Sequence, residues 1–373
     1  MPEDSLLPIP TVALDAMRAL IDALPEPVLL VARSGVIQAA NPAAAELFGP
    51  HIQGARVRAH LRQPEVAAML EAAFAGIDTP GRLHRASMVV TEPAAETTWQ
   101  VTACALPPGA GFAGLVVSLH DTSHREAAEA QRRDFVANVS HELRSPLTVL
   151  TGFIETLQGP AAQDETARAE FLAIMAHEAE RMTGLVQDLL SLSRVEASER
   201  IRPRDPVAID AVLRATIAAL RPQIDAAGLA LDLSLPDDMP RIAGDHDQLV
   251  QVFHNLLENA VKYGGSGGRI TLSAEMLRAV PGLDGPVLRI CVTDYGDGVD
   301  PIYIPRLTER FYRVDRARSR DQGGTGLGLA IVKHILNRHR GRLVIRSRPG
   351  AGSTFEVLLP GACAEAPEPP PSS

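Results

Sequence analysis

The segment FVANVSHELRSPLT, from Phe135 to Thr148, places a histidine where a partner group can reach it. Apolar residues follow it at alternating steps of four and three, the period of a helix packed in a coiled coil. These residues are Leu143, Leu147, Leu150, Ile154 and Leu157. At 3.6 residues per turn, His141 lies about 200° from Leu143, so the imidazole is expected to face solvent. A neutral imidazole is a competent nucleophile near neutral pH.

Three neighbours of His141 favour a chemical role. Glu142 is placed to orient the ring or to accept a proton, and Ser145 lies one turn along on the same helix face. Pro146 removes the helix hydrogen bond to the Glu142 carbonyl at a cost of roughly 3 kcal/mol, which predicts a bend beside the histidine. An exposed helical histidine taken alone is usually only a surface residue, so the rest of the chain must decide.

Two long helices are predicted to position this segment. A charged, helix-favouring stretch over residues 123–134 leads into the first helix, which ends at Gly159-Pro160. The second runs from about Asp164 to Ala197 with one wide apolar stripe. Such helices form an antiparallel hairpin, and a second copy would bury the remaining apolar surface in a four-helix bundle. A purely structural coiled coil is the alternative for this pattern.

A second group of polar residues lies on a helix predicted from Asp245 to Tyr263. Its apolar residues share one face, whereas Asn255, Asn259 and Lys262 share another. Asparagine is less favourable than alanine inside a helix by roughly 0.5–0.7 kcal/mol. Two asparagines here therefore indicate either solvent exposure or a binding role.

Two glycine-containing motifs follow. DYGDG, residues 294–298, ends a predicted strand from Val287 to Thr293; a carboxylate there can accept a hydrogen bond from an adenine amino group, although most isolated strings of this kind are ordinary turns. GGTGLGL, residues 323–329, precedes a helix through about His339. Backbone amides of such a loop attract phosphate, and the missing GK[ST] ending excludes a Walker P-loop.

Composition favours a multidomain globular protein. The chain has 373 residues, of which 46% are hydrophobic and 22% charged. A net charge of −9 without a basic run argues against nucleic-acid binding. Three widely separated cysteines fit a reducing setting, and no run approaches the ~20 apolar residues that cross a bilayer. A cytoplasmic protein is expected; a missing anchor or a membrane-protein sensory partner stays open.

Taken together, these motifs resemble those of sensor histidine kinases. The His141 segment resembles the family's phosphoacceptor box, which implies that His141 is phosphorylated by ATP and passes the group to an aspartate of a response regulator receiver domain. NLLENAVKY resembles the N box, DYGDG the G1 box, RFYRVD the F box and GGTGLGL the G2 box. The first 122 residues are similar to a PAS sensory domain, and residues 323–339 are especially like phosphate-regulon sensor kinases.

The resemblance implies roles on the N-box helix. Asn259 would hold Mg²⁺, and Asn255 would support the metal or its waters, because amide oxygen suits this ion. Lys262 would contact phosphate, and Tyr263 would pack on adenine.

Beyond that helix, the resemblance implies that Asp294 reads adenine beside Gly296 and Gly298, and that Arg313 contacts phosphate. Leu307 and Thr308 stand near the position where the family usually has an aromatic residue. The remaining predicted nucleotide-binding residues are Gly324, Thr325, Gly326, Leu327 and Gly328.

The predicted architecture has five parts. They are a PAS-like α/β sensory domain at 1–122, a helical linker at 123–134, a dimerisation and phosphoacceptor hairpin at 135–199, an α/β sandwich ATP-binding domain at 200–360, which includes a mobile lid at 316–322, and a disordered tail at 361–373. The predicted function is that of a homodimeric sensor histidine kinase, with Glu142 and Ser145 also dephosphorylating the regulator as a hypothesis. The alternative is a nucleotide-gated PAS signalling adaptor without kinase activity.

Overall fold

The computed structural model describes residues 11–78, 81–91, 96–107, 112–159, 164–199, 201–236, 238–314 and 324–361. The chain forms two compact units, Met1–Val136 and Ala137–Ser373. The predicted lid at 316–322 and all of the predicted tail except Gly361 lie outside the described residues. No helix in the described ranges is long and apolar enough to cross a membrane.

The first unit is an antiparallel sheet covered on both faces. Its elements are α1 (Thr11–Asp22), β1 (Val28–Ala32), β2 (Ile37–Ala40), α2 (Pro42–Phe48), α3 (Val57–His60), α4 (Pro64–Ala75), β3 (Leu83–Thr91), β4 (Glu96–Ala105) and β5 (Gly114–Asp121). The strand order is β2-β1-β5-β4-β3. Leu29 and Val31 of β1 join the core shared with α2, α3 and α4, whereas Val28 and Leu30 pack with Ile21 of α1. Alternate strand residues thus bury both faces.

Asn41 connects α1, β1 and α2. It is fully buried, and its Oδ1 accepts hydrogen bonds from the backbone N–H groups of Val28 at 2.9 Å and Ala44 at 3.0 Å. Its Nδ2 lies 2.7 Å from the carbonyl oxygen of Glu26 and 3.1 Å from those of Ile21 and Leu24. Asn41 is therefore an N-cap of α2 that also fixes the segment before β1.

Two long helices follow, as predicted. They are α5 (Ser123–Gln158), which contains Pro146, and α6 (Glu165–Ser198), which is N-capped by Asp164. The rings of Phe153 and Phe171 lie 4.9 Å apart near the connecting turn. The helical hairpin is confirmed, whereas the bend at Pro146 stays a prediction.

The rest of the second unit is an α/β sandwich. Its elements are β6 (Asp205–Ala208), α7 (Ile209–Ala226), β7 (Ala230–Ser234), β8 (Arg241–Gly244), α8 (His246–Tyr263), β9 (Arg269–Leu277), β10 (Val287–Asp294), α9 (Gly328–Arg338), β11 (Arg342–Arg348) and β12 (Gly352–Pro360). The main sheet has the order β11-β12-β10-β9-β7, in which β7 and β9 are parallel and the other pairs antiparallel. Helix α8 packs between α7 and α9 and contacts β10.

Helix α8 shows why the sequence folds this way. Asp245 caps its N-terminus by accepting the Gln248 N–H at 3.2 Å. Six of its apolar residues are fully buried; they are Leu249, Val252, Phe253, Leu256, Leu257 and Ala260. Burying a side chain of this size contributes roughly 1.5–3 kcal/mol. The two asparagines are thereby held on the partly buried remaining surface.

Candidate functional site

The N-box helix and the G2 loop meet at Asn255. Its side-chain amide donates to the carbonyl oxygen of Gly328 at 3.3 Å. Asn259 follows one turn later and is partly buried. Asn255 therefore lies beside the start of α9, where the predicted phosphate-binding loop ends, and Asn259 lies one turn farther along α8.

Lys262 and Tyr263 end α8. The Lys262 ammonium lies 3.0 Å from Glu258 Oε1, an i, i+4 pair on the helix surface. Lys262 is also among the charges that act on the Asp188 carboxylate of α6. Tyr263 is 40% exposed, so its ring offers a surface on which a flat ligand can pack.

Asp294 ends β10 and is buried. Its Oδ1 accepts the backbone N–H of Gly296 at 3.0 Å and that of Ser353 at 3.3 Å. Burial raises the pKa of this carboxyl, and the backbone hydrogen bonds oppose the rise. Both bonds use Oδ1, so within the described part of the chain Oδ2 is the oxygen left to accept a ligand donor.

The two glycines of this loop are needed by the protein's own packing. A Cβ at Gly296 would lie 2.0 Å from the carbonyl oxygen of Tyr263. Gly298 has a φ of 67°, and a Cβ there would meet the carbonyl oxygen of Arg348 at 2.0 Å. Their predicted role in nucleotide approach is thus accompanied by a structural role, since Gly296 lets the loop lie against the end of α8 and Gly298 lets it lie against the end of β11.

The F box and the G2 loop, which lie on either side of residues 315–323 in the sequence, contact each other. The Phe311 N–H donates to the Gly326 carbonyl at 2.9 Å, and Gly326 has a φ of 71°. The predicted G2 residues 324–328 form a partly buried loop with Leu327 fully buried at the base of α9. The Leu327 N–H donates to Thr325 Oγ1 at 3.2 Å.

Thr325 also bonds to the helical hairpin. Its hydroxyl donates to Asp188 Oδ2 of α6 at 2.7 Å. Burial raises the pKa of the Asp188 carboxyl, whereas this hydrogen bond lowers it. Within the second unit, the G2 loop is therefore held against α6.

The His141 turn faces the same loop. His141 and Ser145 are exposed, as predicted, and Pro146 is buried. Oε2 of Glu142 lies 3.3 Å from Arg181 Nη2 and 3.7 Å from Arg313 Nη2. A small cavity is lined by Glu142, Pro146, Arg181, Met182, Leu185 and Thr325. The structure thus brings the predicted phosphate contacts Arg313 and Thr325 to the turn that carries the histidine.

Three domain families match the chain in the same order. The PAS domain matches residues 17–77, the His Kinase A (phospho-acceptor) domain residues 131–198, and the histidine kinase-, DNA gyrase B- and HSP90-like ATPase residues 244–362. The phosphate regulon sensor protein PhoR of Pseudomonas aeruginosa is 44% identical over 253 residues, which cover 66% of this chain and 54% of that protein. The chain belongs to the sensor histidine kinase family.

A further curated protein and a solved structure are also similar. SenX3 of Mycobacterium tuberculosis is 39% identical over 245 residues, covering 66% of this chain and 58% of that protein. The structure of full-length ShkA in complex with AMPPNP is 28% identical, with a TM-score of 0.45 and coverage of 63% of this chain and 47% of that one. The chain spans little more than half the length of the two curated relatives, PhoR and SenX3.

The kinase motifs did not indicate that residues of α6 would contact Glu142 and Thr325. Arg181 and Asp188 are seven residues apart and therefore share a face of that helix. A further contact joins Arg310 Nη2 to Glu196 Oε1 at 2.6 Å. The one sequence signal for these contacts was the presence of polar residues beside the apolar stripe of α6. Any solvent-exposed helix edge has the same pattern.

The residues that a magnesium ion would use fit that ion. The Asn255 amide nitrogen is engaged by the Gly328 carbonyl, which directs the amide oxygen away from that bond. Amide oxygens of Asn255 and Asn259, one turn apart on one side of α8, are hard ligands of the kind that magnesium accepts together with water and phosphate oxygens.

Proposed function

We propose that this chain is a PAS-containing sensor histidine kinase that transfers the γ-phosphoryl group of ATP to its own His141. The observation that carries the proposal is the contact of the Glu142 carboxylate, next to His141, with Arg313 of the F box at 3.7 Å. A phosphate contact and a phosphoacceptor must come within one phosphoryl group of each other. In this chain the two elements already adjoin.

The nucleotide would lie between α8 and the loops after β10 and before α9. The adenine amino group is assigned to Asp294 Oδ2 and the adenine face to Tyr263, which adjoins it: Gly264, the next residue, approaches the Asp294 side chain. The phosphates are assigned to Lys262, Arg313 and the G2 loop amides. Asn259 and Asn255 would hold Mg²⁺, which neutralises phosphate charge.

The transfer itself requires one nucleophile and one proton acceptor. A ring nitrogen of neutral His141 forms a bond to the γ-phosphorus, and the bond from that phosphorus to the bridging oxygen breaks. ADP leaves with the bond's electron pair. The proton on the other ring nitrogen passes to the Glu142 carboxylate. This leaves a phosphohistidine whose ring is neutral and whose anionic phosphoryl group can pass to a regulator aspartate.

The hairpin is proposed to act as a homodimer. Several large apolar side chains of α5 and α6 are 43–57% exposed in the single chain; they are Leu147, Ile154, Leu172, Ile174, Val186 and Leu190. An apolar surface of this extent is expected to be covered by protein. A second copy of the hairpin covers it by forming a four-helix bundle.

The partner and pathway follow from relatives. The phosphoryl group is proposed to pass to a response regulator receiver domain, and the similarity to PhoR favours a role in phosphate-regulon signalling. Ser145, exposed one turn after His141, is the proposed position for a water that dephosphorylates the regulator. Regulator dephosphorylation that is unchanged in Ser145→Ala would remove that last assignment.

Autophosphorylation with γ-labelled ATP and magnesium tests the proposal. Wild type is expected to acquire acid-labile label that His141→Gln lacks. His177→Gln is the matched control, because His177 is another exposed histidine of the same hairpin. Nucleotide binding without label in wild type would instead support the signalling adaptor.

A further inference from the structure

The carboxylate beside His141 is held by an arginine from the opposite helix. Arg181 of α6 places Nη2 3.3 Å from Glu142 Oε2 and Nη1 2.6 Å from Glu178 Oε1. The Arg181 side chain is only 12% exposed. Each terminal nitrogen of one rigid, planar guanidinium thus serves one carboxylate. Glu178, three residues earlier on α6, fixes the plane that faces Glu142.

The position of this pair on α5 is significant. Pro146 has no N–H, so the Glu142 carbonyl lacks its usual helix partner at this turn. A carboxylate on a turn with one fewer backbone bond depends more on side-chain contacts for its orientation. Arg181 lines the same cavity as Pro146 and Glu142, so it supports the weakened turn from across the hairpin.

Arg181 differs from the other arginine near Glu142. Arg313 belongs to the F box, and its proposed partner during the reaction is phosphate. Arg181 belongs to the hairpin, as Glu142 does, so the contact between them does not depend on docking of the ATP-binding domain. Within the hairpin itself, the partner of the proposed proton acceptor is therefore Arg181.

We propose that Arg181 is a positioning residue for phosphoryl transfer, which orients the Glu142 carboxylate so that it can take the imidazole proton of His141. This inference rests on the proposed kinase function. Arg181 touches neither the histidine nor the phosphate, and it acts only through Glu142.

Initial rates of autophosphorylation over a range of ATP concentrations test this role. Arg181→Ala is expected to lower kcat by roughly 10- to 100-fold, because displacement of a proton acceptor by about 1 Å has effects of this size. KM for ATP should stay within about twofold, since Arg181 is not assigned to the nucleotide. Arg181→Lys should recover part of kcat, because an ammonium keeps the charge but not the two-pronged geometry.

Arg338→Ala provides a matched control. Arg338 is 13% exposed and lies 3.3 Å from an Asp245 carboxylate oxygen, so its burial and pairing closely resemble those of Arg181. Its loss should lower stability without a selective fall in kcat. If Arg181→Ala and Arg338→Ala lower kcat equally, the effect is structural and the inference is wrong.

A double-mutant cycle tests whether Arg181 acts through Glu142. In a Glu142→Gln background, Arg181→Ala should cause little further loss, because the carboxylate that it orients is already absent. An equal loss in both backgrounds would overturn the inference. A raised KM with unchanged kcat would do the same.

Two further variants cover failure of Arg181→Ala to fold, as judged by circular dichroism. Glu178→Gln leaves the guanidinium in place but weakens its orientation, and it should lower kcat by less than Arg181→Ala with KM unchanged; unchanged kcat in both Glu178→Gln and Arg181→Lys would contradict the proposal. An unlabelled wild type would refute the kinase function itself, whereas a labelled wild type with an equally active Arg181→Ala refutes only this inference.

Discussion

The carboxylates of Asp188, which is partly buried, and Asp294, which is buried, accept hydrogen bonds from different kinds of donor. Burial raises the pKa of both, and hydrogen bonds to each oppose the rise. The Asp294 donors are backbone N–H groups of its own domain, so correct folding of the sheet supplies them. The Asp188 donor is the Thr325 hydroxyl of a loop 137 residues away. The ionised form of Asp188 therefore depends on docking of the G2 loop, whereas that of Asp294 does not.

His339 makes the stability of the ATP-binding domain depend on pH. It is 1% exposed; its Nε2 accepts the Asp245 N–H at 2.9 Å, and its Nδ1 donates to the Ile335 carbonyl at 2.8 Å. This arrangement satisfies the neutral ring completely. Burial lowers the pKa of the imidazole below its ordinary value of about 6.5, and the Arg338 charge adds to that effect.

The free energy of unfolding is therefore expected to fall as the pH is lowered from 7.5 to 5.5. Over this range His339 binds a proton in the unfolded chain but not in the folded domain, because its pKa is lower in the folded state. The free energy of unfolding is therefore highest above the ordinary imidazole pKa, and it decreases as the pH falls towards the lower pKa of the folded state. His339→Gln, which can donate and accept but does not titrate here, should flatten the dependence. Hydrogen-exchange protection of α8 and α9 measures it, and parallel pH curves for wild type and variant would contradict the assignment.

Asn41 connects the secondary-structure elements α1, β1 and α2 through five hydrogen bonds. Asn41→Ala would leave buried carbonyl and N–H groups in α1, β1 and α2 without partners, and it is expected to destabilise the first unit by about 3 kcal/mol or more. Trp99, the single tryptophan of the chain, lies on β4. Its fluorescence during urea unfolding therefore reports on the first unit alone.

Asn41→Asp separates the two halves of this network. It keeps an acceptor for the N–H groups of Val28 and Ala44 but replaces the amide donor that serves three carbonyl oxygens. Destabilisation close to that of Asn41→Ala is expected, because the second oxygen would face carbonyls. A wild-type unfolding midpoint in Asn41→Asp would show that the N-cap acceptor alone carries the effect, and one in Asn41→Ala would contradict the role of the whole network.

Much of the fold could be predicted because its signals are local. The apolar period of α8, the Asp245 cap and the alternating pattern of β10 each depend on residues within a few positions, and the structure has these elements within one or two residues of the predicted bounds. The box residues of the site were predicted from the resemblance of their motifs to those of sensor histidine kinases. The Asn41 network shows the limit, since sequence indicates a helix cap but not which distant carbonyls the amide will reach.

Contacts between distant elements were beyond sequence reasoning for a physical reason. The pairs Glu142–Arg181 and Asp188–Thr325 are 39 and 137 residues apart, and each arises only after the helices have packed. Arg181 and Asp188 look like ordinary polar residues at the edge of an apolar stripe. The same locality explains why the structural need for Gly296, which approaches the end of α8, was not predicted.

Across the whole second unit, the ATP-binding domain contacts the hairpin of its own chain. Besides Thr325–Asp188, polar contacts along α6 and its last turn join Gln251 to Ser191, Arg310 to Glu196 and His334 to Glu199. The chain between Ser198 at the end of α6 and Asp205 at the start of β6 reaches at most about 25 Å. Each catalytic domain is therefore tied to the helix that faces its own His141 turn.

Phosphoryl transfer is accordingly expected to occur within one protomer. Differently tagged chains carrying His141→Gln and Asn259→Asp can be co-expressed, and mixed dimers isolated through both tags. In such a dimer one protomer has an intact nucleotide site without a phosphoacceptor, and the other has His141 without an intact nucleotide site. Transfer within a protomer leaves both chains unlabelled, whereas transfer between protomers would label the Asn259→Asp chain. Labelling of that chain would mean that the catalytic domain leaves its docking contacts on α6 to reach the partner's helix.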